Sequence, residues 1–282
     1  MLIDVDIVDI HCLRGCQMDL GGVFLGLLQG ITEWLPISSK TVVLLASSYI
    51  YGYTLATSYN LGLSLQGGTV AAAATYFWRD LARVFRDRWI LRFLVISTIF
   101  TGVVGVPIYI LSRKLLEEFL NPGLLMILVG FLLILQVLIS RRTKYRDYGK
   151  TMERIGLGDS IVFGCVQGLA AMPGVSRSGV TIVALLYLGY RLESAMRLSF
   201  IASIPTNLGA TAVVYLLDRE ALYRAPTHDI AVAFIVTATV GMATIGLLLR
   251  LAARYRVKLT AGMGILALII GSIALAMSPS IS

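Results

Sequence analysis

The chain reads as an all-α polytopic membrane protein built as an inverted repeat, each half a re-entrant helix hairpin followed by three transmembrane helices. Three observations carry that expectation. Of 282 residues, 57% are hydrophobic and only 14% charged, with a mean hydropathy of +0.82, whereas a soluble domain carries about 25% charged residues. The charges cluster in a few short stretches, so several apolar runs approach the ~20 residues needed to span a bilayer. One polar, proline-containing pattern also occurs twice, about half a chain apart.

The net charge of +8 does not point to nucleic acid, because the basic residues lie between hydrophobic runs and are accounted for by positive-inside loops. The three cysteines, Cys12, Cys16 and Cys165, make no disulfide framework. His11, Cys12 and Cys16 lack a fourth metal ligand, and Cys165 sits in an apolar helix as a packing residue. Residues 1–19 alternate Asp4, Asp6 and Asp9 with Ile and Val. Without a basic n-region they are no signal peptide, and they read as a leader to which no function is assigned.

The first repeat covers 20–140. Residues 20–31 are apolar but too short to span; TEWLPISSK (32–40) is a polar tip; 41–51 is again short and apolar. Two short helices around a proline-containing tip fit a re-entrant hairpin over 20–51. Full-length spans are expected at 61–78, 93–111 and 122–139. A basic linker, 141–159, leads to the second repeat, 160–282. There 160–172 is short and apolar, MPGVSRSGVT (172–181) is the tip, and 182–190 is short, giving a hairpin over 160–190. Spans at 198–217, 230–249 and 259–277 complete the chain. Residues support the duplication too. Gln29-Gly30 matches Gln167-Gly168, 138 positions on, and Pro36, Ser39 and Lys40 match Pro173, Ser176 and Arg177, each 137 positions on. A pair of this size follows a transporter-like plan.

The loops 78–92, 141–154 and 250–258 are rich in Arg and Lys, whereas 113–118 is balanced and 218–229 is no better than neutral. This places the first three in the cytoplasm. A hairpin plus three spans makes an odd number of crossings, so the second repeat is inverted and the two tips can meet near the midplane.

The ionisable residues left at membrane depth are Glu33, Lys40 and Arg177, all in the tips. Arg177 cannot be discharged, and hydrocarbon penalises it by at least ~2.5–3.5 kcal/mol, so it needs a partner or a watery cavity. The break at Pro173-Gly174 is tolerated at that depth only where it lines a cavity. Hydroxyls crowd beside these charges: Thr32, Ser38, Ser39, Thr41, Ser176, Ser178 and Thr181. Helices starting after Pro36 and Pro173 aim their N-termini at the same place, and such ends bind anions. Cations, hydroxyls and helix N-termini together describe a phosphate site. Three uses of Glu33 stay open: a structural partner of Arg177 or Lys40, a general base on Ser39 or water, or the ligand of a divalent cation bridging to phosphate. Mg2+ or Ca2+ is the ion such a ligand would take. The serines also fit ordinary helix capping and close helix packing.

LGLLQGITEWLPISS (25–39) and PGVSRSGVTI (173–182) resemble the two signature motifs of the undecaprenyl-diphosphate phosphatases, the bacitracin-resistance family. LQGGTVAA (65–72) and SFIASIPTNLGA (199–210) resemble its weaker motifs, and the similarity runs from about residue 20 to the C-terminus. The resemblance implies an inverted-repeat enzyme that removes the terminal phosphate of a C55 polyprenyl diphosphate at the outer side of the membrane. By position, Gln29 and Glu33 match the acidic motif, Ser38 and Ser39 the serine pair with Ser39 the candidate nucleophile, and Ser176, Arg177, Ser178 and Thr181 the phosphate loop, with Gly174 at its start.

One departure matters: the family's histidine after the serine pair is Val42 here. Neither His11 nor His228 is placed to replace it. Lys40, the repeat-equivalent of Arg177, is expected either to contribute a second cation to the diphosphate or to snorkel out to water. The expected function is therefore a polyprenyl-diphosphate phosphatase, with Glu33, Ser39 and Arg177 as catalytic residues. The rival is a lipid-phosphate transporter of the same fold. The partners are the prenyl diphosphate and membrane lipids, and the sequence is compatible with a homodimer.

Overall fold

The computed structural model describes residues 20–84, 86–118, 122–142, 149–152, 155–218 and 227–277. The leader 1–19, with His11, Cys12 and Cys16, lies outside them, as does much of the basic linker. Every regular element among the described residues is a helix. In chain order these are α1 (Leu20–Thr32), α2 (Ser39–Tyr51), α3 (Leu55–Ser64), α4 (Gln66–Tyr76), α5 (Trp78–Val84), α6 (Arg88–Glu118), α7 (Pro122–Arg142), α8 (Leu157–Leu169), α9 (Arg177–Tyr187), α10 (Leu192–Leu217) and α11 (Thr227–Met277).

Polarity runs opposite to that of a soluble protein. Gln29, Asn60, Ser199 and Thr181 are fully buried, while Val103, Phe131 and Leu216 are 63%, 60% and 77% exposed. That arrangement suits a lipid solvent, in which backbone and polar groups must be satisfied internally. Four stretches are long and apolar enough to cross a membrane: Arg88–Glu118, Gly123–Ser140, Leu192–Leu217 and Ile230–Leu251. With 31 residues, α6 is about 46 Å long. It exceeds the ~30 Å of hydrocarbon, so its charged ends reach the headgroups.

One expectation is corrected. The span expected at 61–78 is not one helix. The chain turns at Gly52, starts α3 at Leu55 with Thr54 capping the Thr57 N–H at 3.2 Å, and breaks at Leu65 before α4. Gln66-Gly67-Gly68 is a weak helix start, and the break lets α4 lie close on α11: a Cβ at Gly68 would sit 2.8 Å from the Phe234 carbonyl. All ten residues of α3 are buried, so this piece packs inside the bundle.

The spans expected at 230–249 and 259–277 are both there, Ile230–Leu251 long and apolar enough to cross and Val257–Ile273 a shorter apolar helix, but the chain between them stays helical, so both belong to one element of 51 residues, α11. Its contacts show that it bends. Gly241 packs on Trp34, yet Thr260 donates to the Pro36 carbonyl at 2.8 Å. A straight helix would hold positions 241 and 260 about 28 Å apart, too far for partners two residues apart in the α1–α2 tip. Tyr76 still meets Gly246, so the bend lies between 246 and 260, where the basic run falls.

A pair of short helices flanks each polar tip. In the first, α1 and α2 flank residues 33–38; in the second, α8 and α9 flank 170–176. The base of the second is tied to the linker, where Lys150 donates its N–H to the Gly189 carbonyl at 2.8 Å and its ammonium to Asp159 at 2.9 Å. Tyr190 also donates to Asp159, at 2.7 Å. Burial, with that hydrogen bond behind it, pushes the Tyr190 phenol up from its ordinary value of 10.0.

Candidate active site

The two tips touch through backbone and hydroxyl groups. Ser38 sits in the left-handed region (φ 62), which costs a non-glycine residue roughly 1–2 kcal/mol. That turn brings its hydroxyl to Thr41 at 2.8 Å and to the Val175 carbonyl, across the interface, at 3.3 Å. From the other side, the Gly174 N–H donates to Thr41 Oγ1 at 2.9 Å. Gly174 has φ +86, and any Cβ there would press on Val129 at 3.1 Å; glycine meets both demands.

The charges converge on Glu33, which is 5% exposed. Its Oε1 accepts from Arg177 Nη2 at 2.8 Å and from Asn207 Nδ2 at 2.9 Å. Its Oε2 accepts from Ser39 Oγ at 2.5 Å and from Gln29 Nε2 at 2.9 Å. Four donors thus fill the carboxylate, one of them cationic, and this is how a buried charge is held. Gln29 also reaches Ser39 Oγ at 3.4 Å. Arg177 spends only part of its five-donor fork here: Nη1 reaches the Ser199 carbonyl at 3.3 Å, and the guanidinium lies 6.0 Å from the Phe200 ring centroid.

Lys40 does not snorkel. It is 4% exposed and donates to the Val175 carbonyl at 2.9 Å. With Arg177 it lines a cavity of about 180 Å³ between α3, α6, α8 and α10. Asn207, Gln66, Gln167 and Tyr59 add polar groups to that cavity. Gly102, Gly105 and Val106 of α6 and Gly209, Ala210 and Val213 of α10 give it a small-residue, apolar wall.

The serines of the second tip do not reach this cavity. Ser176 caps α9, accepting from the Gly179 N–H at 3.3 Å, and its own N–H goes to Gln136. Ser178 faces a separate small space with Pro36, Gln136 and Thr260. Thr181 shares a 2.7 Å hydrogen bond with Ser199 and donates to the Arg177 carbonyl at 2.8 Å. All three fix the turn that presents Arg177. Val42, at the position of the missing histidine, is half-buried one turn after Ser39.

Asn207 is the site residue that reading the sequence missed. A lone Asn inside the apolar run of α10 resembles a helix-packing residue. Its signal was Pro205 two positions earlier, inside the same helix, which marks a local disturbance at membrane depth. Thr69, bonded to Asn207 at 3.3 Å, was missed for the same reason. Among the described residues no group of three or more His, Cys, Asp or Glu stands together.

A family model described as "Bacitracin resistance protein BacA" matches residues 22–273. Among curated proteins, the chain is similar to an undecaprenyl-diphosphatase of Sulfurisphaera tokodaii, 40% identical over 236 residues, covering 82% of this chain and 89% of that one. One from Saccharolobus islandicus is 39% identical over 244 residues, 85% and 91% of the two chains. One from Pyrobaculum aerophilum is 35% identical over 261 residues, 89% and 97%.

Proposed function

The chain belongs to the bacitracin resistance protein BacA family, and from that premise we propose that it is an undecaprenyl-diphosphate phosphatase. It hydrolyses the lipid diphosphate to the monophosphate and free phosphate at the outer side of the membrane. The observation that carries this is Glu33, whose carboxylate holds the Ser39 hydroxyl at 2.5 Å and Arg177 at 2.8 Å beside a cavity lined by two cations.

Ser39 is the nucleophile and Glu33 its base. As Glu33 Oε2 takes the hydroxyl proton, Oγ bonds to the terminal phosphorus. The bond from that phosphorus to the bridging oxygen breaks, its electron pair leaving with the lipid monophosphate, which collects the proton from Glu33. Water then gives a proton to the same carboxylate and bonds to the phosphorus; the P–Oγ bond breaks, its electron pair stays on Ser39 Oγ, which takes the proton back from Glu33, and inorganic phosphate leaves. Arg177 and Lys40 neutralise the phosphate oxygens, a role in which losing one stabiliser typically costs ~10²–10³ in rate. With Glu33 already on the Ser39 proton, the geometry has no task for a histidine at Val42. Single-turnover reactions quenched in acid test this: phosphoserine at Ser39 is the expected product, and normal turnover by Ser39→Ala would move the attack to water.

The cavity wall supports a lipid substrate. Helices α6 and α10 line it with glycine, alanine and valine, and the same helices expose Val103 and Leu208 to the surrounding lipid. The head enters among the cations while the prenyl chain stays in hydrocarbon.

The donor set also fits a divalent ion. Mg2+ is commonly held by one or two carboxylates plus substrate phosphates; Glu33 would supply the carboxylate by giving up one of its four present donors, and Gln29 Oε1, which has no hydrogen-bond partner among the described residues, a neutral oxygen. Such an ion would withdraw charge from the phosphate oxygens.

We read the two halves as inverted repeats. The contact between tips supports this, as does the Thr69–Asn207 pair, whose separation of 138 equals that of Gln29 and Gln167. Purified protein in vesicles, given a prenyl diphosphate with and without chelator, tests the function. Phosphate release is expected, and transbilayer movement of the lipid without release would instead make the protein a transporter.

A further inference from the structure

At the arginine-rich end of the bundle, α4, α5, the start of α10 and residues 246–250 of α11 border a second cavity, of about 770 Å³. It shares no lining residue with the cavity of Lys40 and Arg177. Four arginines face it, Arg79, Arg83, Arg197 and Arg250, against two carboxylates, Asp80 and Glu193. Arg197 is only loosely engaged by those acids, at 3.8 and 3.6 Å, with its side chain 45% exposed. The cleft therefore keeps an excess of positive charge.

Its floor is apolar. Phe77 and Phe200 are both buried and stacked, with ring centroids 6.4 Å apart, and Leu249 continues that surface. Tyr76 forms one wall and is itself 47% exposed on the flank of the bundle, beside Trp78 at 59%. Exposed aromatics of this kind sit at the level of lipid headgroups. Arginines, aromatic carbon and an exposed flank at Tyr76 in one cleft match an amphiphile with a phosphate head. A free phosphate would satisfy the arginines and leave the apolar floor uncovered.

We propose that this cleft is a binding site for one anionic phospholipid, its headgroup phosphate held by Arg197 and Arg250 and its acyl chain lying past Tyr76 and Leu249. The cleft meets the hydrolytic site at Phe200, whose ring lies 6.0 Å from the Arg177 guanidinium.

Native mass spectrometry of the full chain, with phosphatidylglycerol or phosphatidylcholine added, tests it. Wild type is expected to retain one phosphatidylglycerol in preference to phosphatidylcholine. The double variant Arg197→Gln/Arg250→Gln should weaken that retention at least about tenfold, given the contribution of each basic residue near an anionic headgroup. The pair Arg88→Gln/Arg254→Gln, outside the cleft, should leave it within about twofold. Equal loss in both pairs would reduce the effect to diffuse surface charge. Equal retention of the two lipids by wild type, or displacement of the lipid by inorganic phosphate, would overturn the proposal without any variant needing to fold.

Discussion

Replacing Arg177 by alanine strips the buried Glu33 carboxylate of its cationic partner, and stability and activity should respond separately. The pair is 2.8 Å apart with side chains 10% and 3% exposed. At an effective dielectric of ~20 the attraction across that distance is roughly 6 kcal/mol, and removing one partner of a buried pair costs about 3–5 kcal/mol. Three neutral donors, from Gln29, Ser39 and Asn207, remain on the carboxylate, which puts the cost near the lower limit, ~3 kcal/mol. Adding Glu33→Gln removes the stranded charge and should restore most of that loss. Activity should not return, because both the clamp and the base are then missing. Dye-monitored thermal unfolding in detergent, beside phosphate release, reads the two quantities. If Arg177→Ala unfolds like wild type, or if the double variant is no more stable than the single one, Glu33 is not held in the way described.

Other expectations follow from the same geometry. Asn207→Leu should lower kcat by about 10- to 100-fold with KM nearly unchanged, because it releases Glu33 Oε1 without touching the cations; equal changes in both parameters would make Asn207 a substrate contact. Lys40→Met should raise KM by about tenfold or more, and unchanged lipid binding and phosphate release would remove Lys40 from the site. Gly62→Ala places a methyl 2.6 Å from the Lys40 carbonyl, a backbone atom. It should cost about 1–3 kcal/mol, read as a lowered Tm, and an unaltered Tm would show that the first hairpin can give way there.

The short-helix pairs and their tips were legible because proline and unpaired charge inside apolar sequence have few physical solutions in a bilayer. Glu33, Lys40 and Arg177 stood out for the same reason, and they do come together. The serines were less legible. A residue such as Ser176 before a helix serves equally as a cap or as an anion ligand, and its sequence context does not separate the two; the cap bond to the Gly179 N–H is formed. The break at Leu65 escaped notice because Leu and Gln continue a helix as readily as they end one, and the cause lies in how closely α4 approaches α11. The continuity of α11 was hidden because basic residues mark a membrane boundary whether the chain loops or bends through it as helix. Lys40 was undecided because its long stem can reach either water or the interior, and the Val175 carbonyl settles it inward.

The most direct measurement is single-turnover phosphate release from a saturating prenyl diphosphate by wild type and by Glu33→Gln. Wild type should release phosphate, and the variant should still bind the lipid while releasing phosphate at least ~10²-fold more slowly. Release at the wild-type rate by Glu33→Gln would contradict the assignment of that carboxylate as the base on which the site is built.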